Sequence, residues 1–357
     1  MTRRTERKKK WTASVIIPAY NAAHTIQACL AALHQQTILP AEIIVVDDGS
    51  KDATPALVRE YPRVKLITQS NQGPARARNV GAGKAVGDII VFLDSDCVPE
   101  KNWLEEILSP FDDESIVGVQ GAYRSHQKSI VARFDQLDIE TRYHRMEKAF
   151  AQGKLDWIGS YSAAYRRSVF AASKGFDETF PKASGEDAEL SYRLASQGKK
   201  LAFNPSAIVY HTHPETLGKY LKIKFFRAYW RMRMYVKFPQ KMVADSYTPQ
   251  SLKAGIIAGP LVGVVTGLLG MAFAIEMLFL LLQTTQGIGY ALIAISGIML
   301  AIYLGGAFIL LLSADLSKKL LDATPLFLFW GPIIVLLRAL SFGFGMLFGI
   351  LDARVRA

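Results

Sequence analysis

Residues 14 to about 100 alternate short runs rich in β-branched and aromatic residues with helix-forming stretches, and this rhythm limits the possible folds more than any other feature. The strand-like runs are 15–17, 43–46, 65–68 and 89–93, with helical stretches at 22–35, 54–60 and 75–85. A parallel neighbour can be reached only through a crossover of about a dozen residues or more, which these helical stretches supply. The sequence therefore predicts a doubly wound, Rossmann-like α/β sheet. Two of its strands end in acid: Asp47-Asp48-Gly49-Ser50 closes 43–46, and Asp94-Ser95-Asp96 closes 89–93. Ligands of open α/β sheets bind beyond the carboxyl ends of the strands, so both sites are expected at one crevice, with Gly185-Glu186-Asp187 as a third. A carboxylate pair one residue apart suits a hard divalent cation.

A less regular part follows to about residue 214, with strand-like 117–121 and 207–210 flanking a charged helical stretch at 130–152; an acceptor site is expected there. Cys29 and Cys97 lie in segments that read as core or strand end, without metal-type spacing, and are expected to be free thiols in a reducing cytosol. The basic stretch 1–10 is not followed by an apolar segment of signal-peptide length, so the polar part is expected to face the cytoplasm, with 1–11 as a solvated tail.

The net charge of +11 sits almost wholly in the first part of the chain. From residue 254 onward only Lys318, Lys319, Arg338, Arg354 and Arg356 face Glu276, Asp315, Asp322 and Asp352. Two stretches, 255–282 and 287–312, exceed the about 20 apolar residues needed to cross a bilayer. A third, 325–351, is broken by Arg338 and reads either as one tilted span or as a re-entrant pair, which leaves the side of the C-terminus open. Lys318 and Lys319 put the loop before it in the cytoplasm. Ahead of the spans, 217–242 interleaves eight Lys/Arg residues with aromatic ones, a composition suited to anionic lipid headgroups. No nucleic-acid motif accompanies it, and no nucleic-acid partner is expected. Nor does the chain carry the glycine-rich loops of dinucleotide or P-loop nucleotide sites. The expected organisation is a tail at 1–11, a catalytic domain at 12–215, an interfacial helix and linker at 216–253, and a membrane region at 254–357.

Five segments together resemble family-2 glycosyltransferases: Ser14-Val15-Ile16-Ile17-Pro18-Ala19-Tyr20-Asn21, Val46-Asp47-Asp48-Gly49-Ser50, Asn71-Gln72-Gly73-Pro74-Ala75-Arg76-Ala77-Arg78-Asn79, Phe92-Leu93-Asp94-Ser95-Asp96 and Gly185-Glu186-Asp187. The resemblance covers about 12–215 and rests on their order and spacing. It implies a GT-A fold, a nucleoside-diphosphate sugar donor, Mg²⁺ or Mn²⁺, and inversion at the anomeric carbon. By the same resemblance, Pro18, Ala19, Asn21 and Asp48 line the nucleoside pocket, Asp47 orders its loop, and Arg78 contacts base or phosphate, with Arg76 second to it. Asp96 is the implied metal ligand, Asp94 meets ribose or a metal-bound water, and His211 joins the metal or pyrophosphate with His213 as its competitor. Trp157, Gly159 and Ser160, with Phe176-Asp177-Glu178, match the acceptor side.

A carboxylate in hydrogen-bond reach of an acceptor hydroxyl can take its proton, and Asp187 is the expected base, with Glu186 orienting it or the acceptor. Both also suit the first turn of a helix, where the dipole favours acid. Processive membrane synthases of the family carry Gln-x-x-Arg-Trp; here the region reads Phe226-Arg227-Ala228-Tyr229-Trp230-Arg231, which favours addition of one sugar over polymerisation. The leading expectation is transfer to a lipid-linked or membrane-proximal saccharide at the cytoplasmic membrane. Transfer to polyprenyl phosphate is the second, and a noncatalytic membrane scaffold of the same fold is the third.

Overall fold

The structure, a computed structural model, describes residues 11–180, 185–248, 314–323 and 326–356, with 275, 295 and 297 between them. Two compact units are distinguished: 1–127, 143–212 and 245–247 form one, and 128–142, 213–244 and 248–357 the other. Residues 128–142 thus group with the C-terminal segments, whereas the sequence suggested a contiguous domain at 12–215.

The first unit is built on β1 (Ala13–Ala19), β2 (Glu42–Asp47), β3 (Val64–Thr68) and β4 (Ile89–Leu93), which run parallel in the order β3-β2-β1-β4. Their crossovers carry α1 (Ile26–Leu33), α2 (Thr54–Arg59) and α3 (Pro74–Lys84). Val15, Ile16 and Ile17 are all fully buried, because helices cover both faces of a parallel sheet and alternation of polar residues is lost. Close helix packing needs a small residue on α3: a Cβ on Gly81 would fall 2.5 Å from Ile16 Cγ2.

Beyond β4 the sheet turns mixed. β5 (Cys97–Pro99), α4 (Trp103–Leu108), β6 (Ile116–Arg124), α5 (Ile130–Ala151), β7 (Ser162–Arg166), α6 (Arg167–Ala172), α7 (Glu186–Ser196) and β8 (Lys200–His211) complete a sheet ordered β3-β2-β1-β4-β7-β6-β8-β5. β7 is antiparallel to β4 and β6, and β5 is antiparallel to β8. The doubly wound reading therefore covers only the first half. β8 is far longer than the expected 207–210, and its pairing with β6 slips between Gln120↔Phe203 and Ala122↔Ile208. Pro205 lies in that slip, where a residue without an N–H leaves no ladder bond unmade.

In the second unit α8 (Leu217–Lys237) is followed by α9 (Pro239–Val243), α10 (Ala314–Ala323) and α11 (Leu326–Arg356). The stretch expected to be one span or a re-entrant pair is a single helix of 31 residues, about 46 Å at 1.5 Å per residue, continuous through Pro332. Its Phe329–Asp352 portion is long and apolar enough to cross a membrane; the expected spans 255–282 and 287–312 lie outside the described residues. Small residues let α11 run close along α8: Ser341 Oγ donates to the Leu221 carbonyl at 2.7 Å, and a Cβ on Gly349 would fall 2.5 Å from the Tyr229 carbonyl oxygen.

Buried charge joins the same helices. Asp138 on α5 accepts from Arg142 and from Arg338 of α11, both at 2.6 Å, and Asp135 accepts from Lys224 of α8 at 2.7 Å. Lys224 is fully buried, so it is no part of the lipid-facing basic surface expected of 217–242. Burial lowers its pKa to about 8 against the opposing pull of Asp135. His213, the competitor for a metal role, meets Gln136 Oε1 at 2.8 Å in this unit. Removing one partner from a buried ionic network costs about 3–5 kcal/mol. Asp138→Ala is expected to destabilise the second unit by about that amount, read as a fall in the thermal midpoint of the protein in detergent.

Candidate active site

The β1 and β2 strand ends meet through a loop whose organiser is Asp48. Its Oδ1 accepts Gln69 Nε2 at 2.7 Å and the Gln72 N–H at 2.9 Å, and its Oδ2 accepts the Gly73 N–H at 2.8 Å. Asp47 Oδ1 accepts the Ser50 N–H at 3.2 Å, and Gly49 turns the chain at φ +78°, with its Cα side 3.0 Å from the Asn71 nitrogen at the Cβ position. A side chain there would meet both strain and backbone. Asn21, also at positive φ, spends its Oδ1 on the Lys51 N–H at 2.9 Å. It acts as a loop clamp and does not line the cleft.

That cleft, about 430 Å³, is walled by Pro18, Ala19, Asp48, Arg78, Asp94 and Asp96, and also by Tyr20, Asn71, Gly73, Pro74, Ala77 and Ser95. At its floor lies Arg78, projecting from α3 with its side chain 3% exposed. The guanidinium bridges two carboxylates, Asp94 Oδ1 at 2.7 Å and Glu186 Oε1 at 3.1 Å, and lies over the Phe176 ring at 5.9 Å. The sequence offered Arg78 to base or phosphate and Glu186 to the acceptor or Asp187. In the structure the two pair with each other. Arg76 points elsewhere, pairing with exposed Glu178 at 2.8 Å, while Asn79 fastens Phe176 at 2.9 Å in both directions.

Sheet register places the next pair. Cys97 of β5 lies opposite His211 of β8, so the preceding Asp96 is carried beside the imidazole, with Oδ2 to Nε2 at 3.4 Å. Asp94 is turned to Arg78, and among the described residues no group of three or more His, Cys, Asp or Glu side chains is gathered for a metal. The donor set nevertheless fits Mg²⁺ or Mn²⁺. Asp96 is 45% exposed at the cleft and His211 stands beside it, and such ions take one or two protein ligands and complete their shell with substrate phosphate and water.

α7 opens at Gly185 (φ +150°), whose Cβ position is 2.9 Å from the Phe180 ring. Glu186 is buried against Arg78; Asp187 is half-buried, its Oδ1 accepts the Ala188 N–H at 2.7 Å, and the Ser160 backbone is close enough to draw its pKa down slightly. Burial first, then the neighbouring Glu186 charge, raises the Asp187 pKa to about 6. The 157–160 segment thus lies beside the candidate base. Gly159 donates its N–H to Gln120 Oε1 at 2.5 Å, whereas Trp157 is buried and stacked on Tyr247 with ring centroids 3.7 Å apart. Sequence reasoning passed over Gln69, Gln72, Gln120, Tyr123 and Tyr161. The first two stand in or beside a motif already singled out; the last three carry no local signal.

The profile described as Glycosyl transferase family 2 matches residues 14–173. Glycosyltransferase AglE of Haloferax volcanii is 40% identical over 223 residues, 59% of this chain and 70% of that protein. The pre-mycofactocin glycosyltransferase of Mycobacterium tuberculosis is 29% identical over 250 residues, 68% of this chain and 52% of its own length, so the chain spans about half of that relative. The mannosyltransferase PcManGT from Pyrobaculum calidifontis, solved with GDP-Man and Mn²⁺, superposes with a TM-score of 0.57 at 18% identity, covering 94% of this chain and 87% of that one. At that identity the likeness shows the fold, which is GT-A-like.

The raised Asp187 pKa has a consequence for stability. The folded state favours the neutral carboxyl, so the associated stability is present below the ordinary carboxylate pKa and is lost as pH rises through about 6. Asp187→Asn is neutral at every pH. It is expected to unfold at higher denaturant than the parent at pH 8, by up to about 3 kcal/mol, with the gap closing near pH 4. Chemical denaturation at the two pH values checks this.

Proposed function

The chain belongs to the family-2 glycosyltransferases, and from that premise we propose that it transfers one sugar, with inversion, from a nucleoside-diphosphate sugar to a hydroxyl of a lipid-linked or membrane-proximal saccharide. The observation that carries this reading is Asp187. Its pKa of about 6 leaves it ionised at neutral pH yet basic enough to accept a proton, and it sits beside the acceptor-side Ser160. As the acceptor oxygen attacks the anomeric carbon, Asp187 takes the hydroxyl proton while the bond to the diphosphate breaks. Pro18, Ala19 and Asp48, with Tyr20 and Asn71, form the wall for the nucleoside, and Asn21 holds its loop. Asp96 and His211 would hold Mg²⁺ or Mn²⁺, and the chemistry supplied there is Lewis-acid neutralisation of the departing diphosphate.

The polyprenyl-phosphate reading is disfavoured by the same residue, because an ionised phosphate acceptor has no proton for a base to remove. For the location we propose the cytoplasmic membrane, with several spans and the catalytic unit on the cytoplasmic side in contact with membrane lipids. Support comes from the membrane-length portion of α11, the apolar stretches 255–282 and 287–312, and the pair Lys318 and Lys319 between them and α11.

Purified protein in detergent, offered UDP-, GDP- and dTDP-sugars with membrane lipid extract as the acceptor source, is expected to transfer sugar from one donor class. Absence of turnover with every donor, while nucleotide still binds, would favour the scaffold. With the active donor, Asp187→Asn is expected to keep donor binding and lose about 10²–10⁴-fold in kcat. Parental kcat should fall as pH drops through about 6, where the base is protonated. Near-parental turnover in the variant would return Asp187 to a helix-start role.

A further inference from the structure

A metal-ligating imidazole is usually held in orientation by its neighbours, and losing such outer-shell partners typically costs about 10–100-fold in metal affinity. His211 occupies the last position of β8, where the ring is free to rotate unless packed. Tyr123, from β6, stacks on it with centroids 4.6 Å apart and planes 28° apart. On the far face of Tyr123 lies Tyr161, at 3.6 Å and 18°. We propose that Tyr123, held between Tyr161 and His211, is the positioning residue that sets the His211 imidazole toward Asp96, and that Gln120 and Gly159 anchor this stack to the acceptor-side segment. This rests on the reading that Asp96 and His211 hold the cation.

The Tyr161 end of the stack is held by a buried hydrogen-bond network. Tyr123 donates its N–H to Tyr143 Oη at 2.7 Å, and Tyr143 Oη meets Tyr161 Oη at 2.8 Å. Gln120, fully buried, donates Nε2 to Tyr161 Oη at 2.5 Å and accepts the Gly159 N–H on Oε1 at 2.5 Å. Gly159 lies so near the stack that a Cβ there would fall 2.9 Å from the Tyr161 ring. The Tyr161 carbonyl accepts the Asp94 N–H at 3.2 Å, so one residue touches the strand end of the acidic pair and, through its ring, the stack that ends at His211. The segment 159–161 is thereby continuous with both the Asp187 contact at Ser160 and the imidazole of the proposed cation site.

The full chain in detergent is titrated with Mn²⁺ by calorimetry, with UDP and with GDP in turn, and the bound Mn²⁺ is examined by pulsed electron paramagnetic resonance for ¹⁴N modulation from a coordinated imidazole. Tyr123→Leu is expected to weaken Mn²⁺ binding by about 10–100-fold and to lose the ¹⁴N modulation while its circular dichroism stays parental. Tyr123→Phe, which keeps the ring, retains both. A folded Tyr123→Leu protein with parental Mn²⁺ affinity and modulation overturns the proposal. If the leucine variant does not fold, Gly159→Ala, which presses on the Tyr161 ring, is expected to weaken Mn²⁺ in the same sense, and parental affinity there overturns it. His211→Ala separates the two levels: parental Mn²⁺ affinity in that variant removes His211 from the cation and overturns the underlying reading, whatever Tyr123 does.

Discussion

The buried guanidinium of Arg78 is the interaction on which the rest of the site depends. It joins the end of β4, through Asp94, to the start of α7, through Glu186, two points 92 residues apart in the chain (186 − 94). Removing a charge this deep from water costs several kcal/mol, and only two well-placed carboxylates can offset it. The pairing therefore fixes where α7 begins relative to the sheet. Asp187 follows Glu186 by one residue, so the candidate base inherits its position from the Arg78–Glu186 pair.

Sheet register supplies the second constraint. The antiparallel pairing of β5 with β8 sets Cys97 opposite His211, and Asp96 is the residue just before the pair begins. Two groups far apart in sequence meet because a strand of only three residues, β5, finds an edge on which to pair. Asp94 bonds to Arg78 and Asp96 lies beside His211, while both carboxylates line the one cleft.

What the sequence made legible follows from which interactions are local. β1, β2 and β4 stood out because strands covered on both faces read as unbroken apolar runs, and the turn at Asp47-Asp48-Gly49-Ser50 because its chemistry is contained within it. β5 and β7 did not stand out. Ser162-Ala163-Ala164-Tyr165-Arg166 lacks strand composition, and only its place between β4 and β6 makes it one, a case of tertiary context overriding propensity. From sequence, the base falls to Asp187 and orientation to Glu186, but nothing there points to the buried cation that holds Glu186. Their separation comes from Arg78, 108 residues away, which takes one and leaves the other.

That division has a parallel in the second unit, and the comparison shows what sets the chemistry of a buried acid. Burial would raise the pKa of Asp138 as it does that of Asp187, yet Arg142 and Arg338 outweigh it and hold Asp138 well below the ordinary range. Among the described residues Asp187 pairs with no cation: Arg78 pulls on it, but the loss of water and then the Glu186 charge prevail, and its pKa rises. Two half-hidden or hidden aspartates thus differ because one owns its arginines and the other stands beside an arginine already committed to Glu186 and Asp94. The first is a structural tie; the second keeps the basicity that proton transfer requires.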